Sequence, residues 1–125
     1  MPKRLLNSPV LKWPDAQTVI EELHRWAKQV LQQRQDVNRI GFFGSYARGN
    51  DGVGSDLDLI IIIDHSDDPF ERRGVAWDMT KLPVPADLLV YTKEEWQSLD
   101  PNRRFNKMLM KETVWIYTRG NDLDP

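Results

Sequence analysis

Asp56 and Asp58 stand two residues apart at the mouth of an apolar run, residues 57–63. Side chains alternate along a strand, so both carboxylates project from the same face. Two carboxylates that close repel each other, and at the edge of a core they are costly unless a cation sits between them. Oxygen-only donors with no histidine in company favour Mg²⁺ or Mn²⁺ over zinc. Upstream, Gly44 and Ser45 follow directly on another apolar run, residues 40–43. Glycine lets backbone come close to a ligand, and successive N–H groups with a serine hydroxyl can hold phosphate oxygens. A phosphate cradle beside a metal-binding carboxylate pair suits phosphoryl or nucleotidyl transfer. A two-metal site needs a further acid. Asp87 is the best candidate, because it interrupts the apolar residues Ala86, Leu88, Leu89 and Val90. Each of these residues has a plainer reading: a solvated pair for Asp56 and Asp58, an edge-strand charge for Asp87, a turn cap for Ser45. Their joint occurrence favours the metal and phosphate roles.

These side chains need a frame. Residues 1–14 contain three prolines without sustained periodicity and read as an N-terminal arm, ahead of one domain over residues 15–125. Asp15 offers an N-cap, and Val19, Ile20, Leu23, Trp26, Ala27, Val30 and Leu31 then mark one face of a helix of about four turns. Residues 40–43, 57–63, 85–91 and 113–117 read as strands. Residues 69–81 suggest one short helix, weakened by Gly74. Thr92 and Glu95 form a capping box that starts a helix ended by Pro101. Residues 102–111 place Phe105, Met108 and Leu109 at helical spacing. The glycine-rich stretch over residues 44–54 has room only for a short helical turn, so the first two strands are expected to be antiparallel neighbours. The third strand is expected beside the one carrying Asp58. The fold class is therefore α/β (α+β): a small mixed β-sheet with helices packed against it.

Bulk properties exclude several alternatives. Cysteine is absent, which removes disulfides, thiol catalysis and cysteine-ligated zinc. The longest apolar run, residues 59–63, is too short to span a bilayer, and residues 1–12 lack the pattern of a signal peptide. A cytoplasmic, soluble protein without membrane association is expected. The net charge of −2 gives no sign of coating by nucleic acid. Arg103, Lys107 and Lys111 recur every fourth residue; such a stripe is first a solvated face and second a surface for nucleic acid or an acidic partner. His24 and His65 are isolated, Asp64 reads as an ordinary turn residue, and Trp13, Trp26, Trp77, Trp96 and Trp115 read as core or interface residues.

With these residues in place, the sequence resembles the minimal nucleotidyltransferases of the DNA polymerase β superfamily. Their signature is a strand ending in Gly-Ser, a short helical turn, Asp-x-Asp on the next strand and a third acid on a later one. The matching residues are Gly44, Ser45, Ala47, Arg48, Gly49, Ser55, Asp56, Asp58 and Asp87, and the resemblance covers about residues 37–117. It implies a DNA polymerase β-like nucleotidyltransferase fold and an in-line transfer of a nucleoside monophosphate from a nucleoside triphosphate, ATP foremost, to an acceptor hydroxyl. Asp56, Asp58 and Asp87 would be the catalytic, metal-binding acids of a two-metal mechanism: Asp56 and Asp58 would bind the two Mg²⁺ or Mn²⁺ ions, and Asp87 would bind the catalytic one and help to deprotonate the acceptor. Gly44 and Ser45 would hold the β- and γ-phosphates, and Arg48 would reach the triphosphate. Small members of this kind often pair with a HEPN-domain protein in toxin–antitoxin systems, where the transferase modifies and silences the toxin. The resemblance thus implies a HEPN toxin as partner and acceptor.

Three rivals stand beside this reading. One is a non-catalytic antitoxin or regulatory module acting by contact, against which the presence of all three acids counts. Another is an enzyme that modifies a small molecule of the antibiotic type, which needs an acceptor pocket the sequence does not reveal. A metal-dependent phosphohydrolase fits the acids but leaves the Gly-Ser turn less well explained.

Overall fold

The computed structural model describes residues 14–50 and 55–120. The expected arm over residues 1–14 lies almost entirely outside them, as do residues 51–54 of the glycine-rich stretch. Helix α1 (Ala16–Gln33) begins where Asp15 accepts a hydrogen bond from the Thr18 N–H at 2.8 Å. It buries Val19, Leu23, Trp26 and Ala27, four of the positions whose spacing predicts the helix. Strand β1 (Val37–Phe43), the single turn α2 (Ser45–Arg48) and strand β2 (Leu57–Ile63) follow. Helix α3 (Phe70–Arg73) leads through a 3₁₀ turn to β3 (Ala86–Thr92). Helices α4 (Lys93–Gln97) and α5 (Arg104–Glu112) precede β4 (Val114–Thr118).

The four strands form one mixed sheet in the order β3-β2-β1-β4. β1 runs antiparallel to both β2 and β4, while β2 and β3 are parallel. The antiparallel neighbours and the pairing of the third strand beside Asp58 both match expectation. β2 is buried on both faces, which is why its sequence reads as an unbroken apolar run. Leu57, Leu59, Ile61 and Ile63 join the cluster under α1 with Val19, Leu23 and Trp26. Ile60 and Ile62 join the opposite cluster with Phe43, Tyr91 and Leu109, flanked by Trp96 and Met108.

Three elements differ from expectation. Residues 69–81 do not form one helix: α3 ends at Arg73, and a 3₁₀ turn over Gly74–Ala76 gives way to extended backbone at Trp77. Gly74 weakens the helix, and tertiary contacts then claim the chain. The Trp26 indole donates to the Asp78 carbonyl at 2.8 Å, and the Arg34 guanidinium stacks 4.0 Å from the Trp77 ring centroid. The helix begun by Thr92 stops at Gln97 rather than at Pro101, and the Ser98 N–H closes its last turn on the Glu94 and Glu95 carbonyls at 3.1 Å. β1 also starts earlier than its apolar run, at a buried Val37 paired with Ile63 across a bulge.

No helix among the described residues is long and apolar enough to cross a membrane.

Candidate active site

The site lies where β1 ends and β2 and β3 begin. Phe43 pairs with Asp58 across β1 and β2, so Gly44 leaves the sheet immediately beyond that carboxylate. Gly44 has φ 79° and ψ −150°, a conformation closed to residues with a Cβ. A Cβ there would also overlap Asp58 Oδ2, with the Asp58 Cγ only 3.2 Å away. Sequence and fold thus bring Gly44 and Asp58 together through a missing side chain. The Gly44 carbonyl accepts from the N–H groups of Ala47 and Arg48 at 3.0 Å, which turns the chain into α2. Gly49 closes that turn in the left-handed region with its N–H on the Ser45 carbonyl. The buried Tyr46 hydroxyl donates to the Ser55 carbonyl at 3.5 Å and ties α2 to the segment entering β2.

Asp58 and Asp87 are direct register partners in the parallel β2–β3 pair, so their side chains lie side by side on one face. Asp56 precedes β2 by one residue and is exposed, as is Asp87, whereas Asp58 is half-buried. Burial first, then the negative charges of Asp87 and Asp56, push the Asp58 carboxyl above its ordinary value; the Arg48 guanidinium acts in the opposite sense. All four groups therefore share one electrostatic neighbourhood. Among the described residues, no three His, Cys, Asp or Glu side chains close into a metal cage. The donor set nonetheless suits a hard cation: carboxylate oxygens only, one of them desolvated and repelled by its neighbours. Mg²⁺ characteristically takes one or two carboxylates and completes its octahedron with water and substrate phosphates.

Arg48 lies at the end of α2 with Nη1 3.4 Å from Glu112 Oε1, a contact between elements far apart in sequence. Reading the sequence alone missed Tyr46 and Glu112, because neither stands in a chemical pattern with its neighbours. Asp64 stands in a bend just past β2, as its place in the sequence implies, and does more there. In the structure Asp64 forms a two-contact ion pair with Arg119, one contact at 3.1 Å, and Arg119 holds its carboxyl below the ordinary value. Arg103, Lys107 and Lys111 are exposed, as are His24 and His65. Trp26 and Trp77 are buried, and Trp96 meets Trp115 edge-on at 5.6 Å.

Residues 24–116, about three quarters of the chain, match the nucleotidyltransferase domain family. The chain belongs to that family. Among curated proteins it is 38% identical over 50 residues to a Methanocaldococcus jannaschii protein named as a candidate protein adenylyltransferase, a match spanning 40% of this chain and half of that relative. Among solved structures it is similar to a candidate nucleotidyltransferase from Sulfolobus solfataricus, with 17% identity and a TM-score of 0.60 over 85% of this chain and 86% of the other. A toxin–antitoxin structure with AMP-PNP gives 18% identity and 0.57 over 79% and 76%. A mutant of the toxin–antitoxin MntA–HpeT gives 14% and 0.51 over 87% and 77%. At these identities the structures share the fold.

Proposed function

We propose that the protein is a Mg²⁺-dependent nucleotidyltransferase that moves a nucleoside monophosphate from a nucleoside triphosphate, with ATP the expected donor, to a hydroxyl on a protein partner, with pyrophosphate leaving. The observation that carries this reading is the Gly44 turn lying directly against Asp58, with Asp87 in register beside it. Asp56 and Asp58 would hold two Mg²⁺ ions, with Asp87 on the catalytic one. The N–H groups and hydroxyl at Gly44–Ser45 hold the terminal phosphates, with Arg48 adding positive charge at the end of the turn. Bound there, Mg²⁺ would screen the polyphosphate and lower the pKa of the acceptor hydroxyl. Asp87, exposed at the start of β3, would receive the acceptor's proton. The protein acceptor is favoured by the name of the curated relative, a protein adenylyltransferase, and by the toxin–antitoxin neighbours. A HEPN-domain toxin is the partner of choice, and the cytoplasm the compartment in which both would meet ATP.

The test is transfer of α-³²P label from each nucleoside triphosphate, with Mg²⁺, into a purified HEPN partner or a lysate. The wild type should label a protein band with ATP and Asp58→Asn should not. Absence of label with every nucleotide, while partner binding persists, would replace the enzyme by a module acting through contact alone.

A further inference from the structure

Helix α2 is a single turn, too short to fix its own side chains. It packs on β1 and β2 through the buried Tyr46, and α5 reaches it as well. Leu109 anchors α5 in the core with no exposure, and two side chains of that helix reach the phosphate turn from either end. Phe105 meets Phe43, the residue before Gly44, edge-on at 6.2 Å. Glu112, the last residue of α5, meets Arg48, the last residue of α2. The Arg48–Glu112 pair is exposed, with 47% and 35% of the side chains accessible, so its contribution to fold stability is small. Its place is notable for another reason. It sits at the end of the turn, and the charge of Arg48 reaches Asp58.

We infer that Glu112 is a positioning residue that holds the Arg48 guanidinium at the mouth of the Gly44–Ser45 turn, ready for the triphosphate of the donor nucleotide. The inference rests on the transferase reading above. An unrestrained arginine must give up its rotamer freedom when the nucleotide arrives, and Glu112 removes part of that loss beforehand. One N–H···O contact at 3.4 Å leaves the rest of the guanidinium fork for phosphate oxygens.

The experiment is calorimetric titration of a non-hydrolysable ATP analogue with Mg²⁺ into wild type, Asp58→Asn, Arg48→Ala, Glu112→Ala, Glu112→Gln and the Arg48→Ala/Glu112→Ala double variant, with thermal melting of each. Glu112→Ala should bind about three- to tenfold more weakly at an unchanged melting temperature, with Glu112→Gln between it and wild type. The double variant should bind no more weakly than Arg48→Ala alone. Wild-type affinity in Glu112→Ala, tighter binding in it, or additive losses in the double variant would overturn the inference while leaving the transferase reading intact. No nucleotide binding by wild type would overturn both.

Discussion

At Asp58, binding chemistry and stability pull in opposite directions. Its carboxyl is pushed up by burial and by two neighbouring acids, so the folded protein holds this proton more tightly than the unfolded chain does. Between the ordinary value of 3.8 and the raised folded value, stability therefore falls as pH rises, and the deficit is complete above that window. Asp58→Asn should accordingly melt higher than wild type at pH 7 without metal, and the gain should close as the pH drops below 3.8. Thermal melts across pH decide it; a lower melting temperature for the variant at neutral pH would refute the account. Gly44 is the complementary case. Gly44→Ala imposes a Cβ on a φ of 79° and on the Asp58 carboxylate at once, so it should cost about 1–3 kcal/mol in urea unfolding and weaken nucleotide binding.

At the scale of elements, the connection from β3 into α4 shows what a short sequence window can and cannot convey. The capping box is legible as Thr92 and Glu95, and both of its hydrogen bonds form, at 2.9 and 3.1 Å. The same Glu95 carboxylate also grips the buried Arg73 guanidinium at 2.6 and 3.0 Å, while Arg73 donates to the Val90 carbonyl at 3.0 Å. Nothing in the local pattern foretells this, because Arg73 and Glu95 are 22 residues apart and meet only once α3 folds back against β3. That anchor also helps explain why residues 69–81 stop being helical where they do. Glu95→Gln keeps the cap, since glutamine serves in the box, but strips a buried arginine of its counter-charge. Glu95 reaches solvent, so the loss should be about 2–3 kcal/mol, below that of a fully buried pair. Hydrogen bonding to Arg73 holds the Glu95 carboxyl below its ordinary 4.5, so this stabilisation is present above 4.5 and is lost as pH falls through the lowered value. Urea denaturation of wild type and Glu95→Gln should therefore differ at pH 7 and converge in acid.

For the whole molecule, the sheet was legible because its two halves obey strong rules. A connection too short for a crossover helix makes β1 and β2 antiparallel, and the acid-interrupted run of β3 sits beside β2 with Asp87 opposite Asp58. The contributions of Tyr46 and Glu112 were not legible, since they depend on which elements the closed fold brings against α2. The assembled site has one further consequence. Its acids are neighbours without forming a closed cage among the described residues, so neither partner of a metal–nucleotide complex finds all its ligands in the protein. Mg²⁺ alone relieves the repulsion between the carboxylates but leaves most of its octahedron to exchangeable water, and ATP alone brings its own negative charge to them. Together they complete each other's coordination. Mg²⁺ and ATP added singly should each shift the melting temperature little. Both together, at about a hundredfold excess over the dissociation constant, should raise it by about 10 °C, and Asp58→Asn should remove most of that rise. A full shift with Mg²⁺ alone would mean a ready-made metal cage, and equal shifts in the variant would place the metal elsewhere.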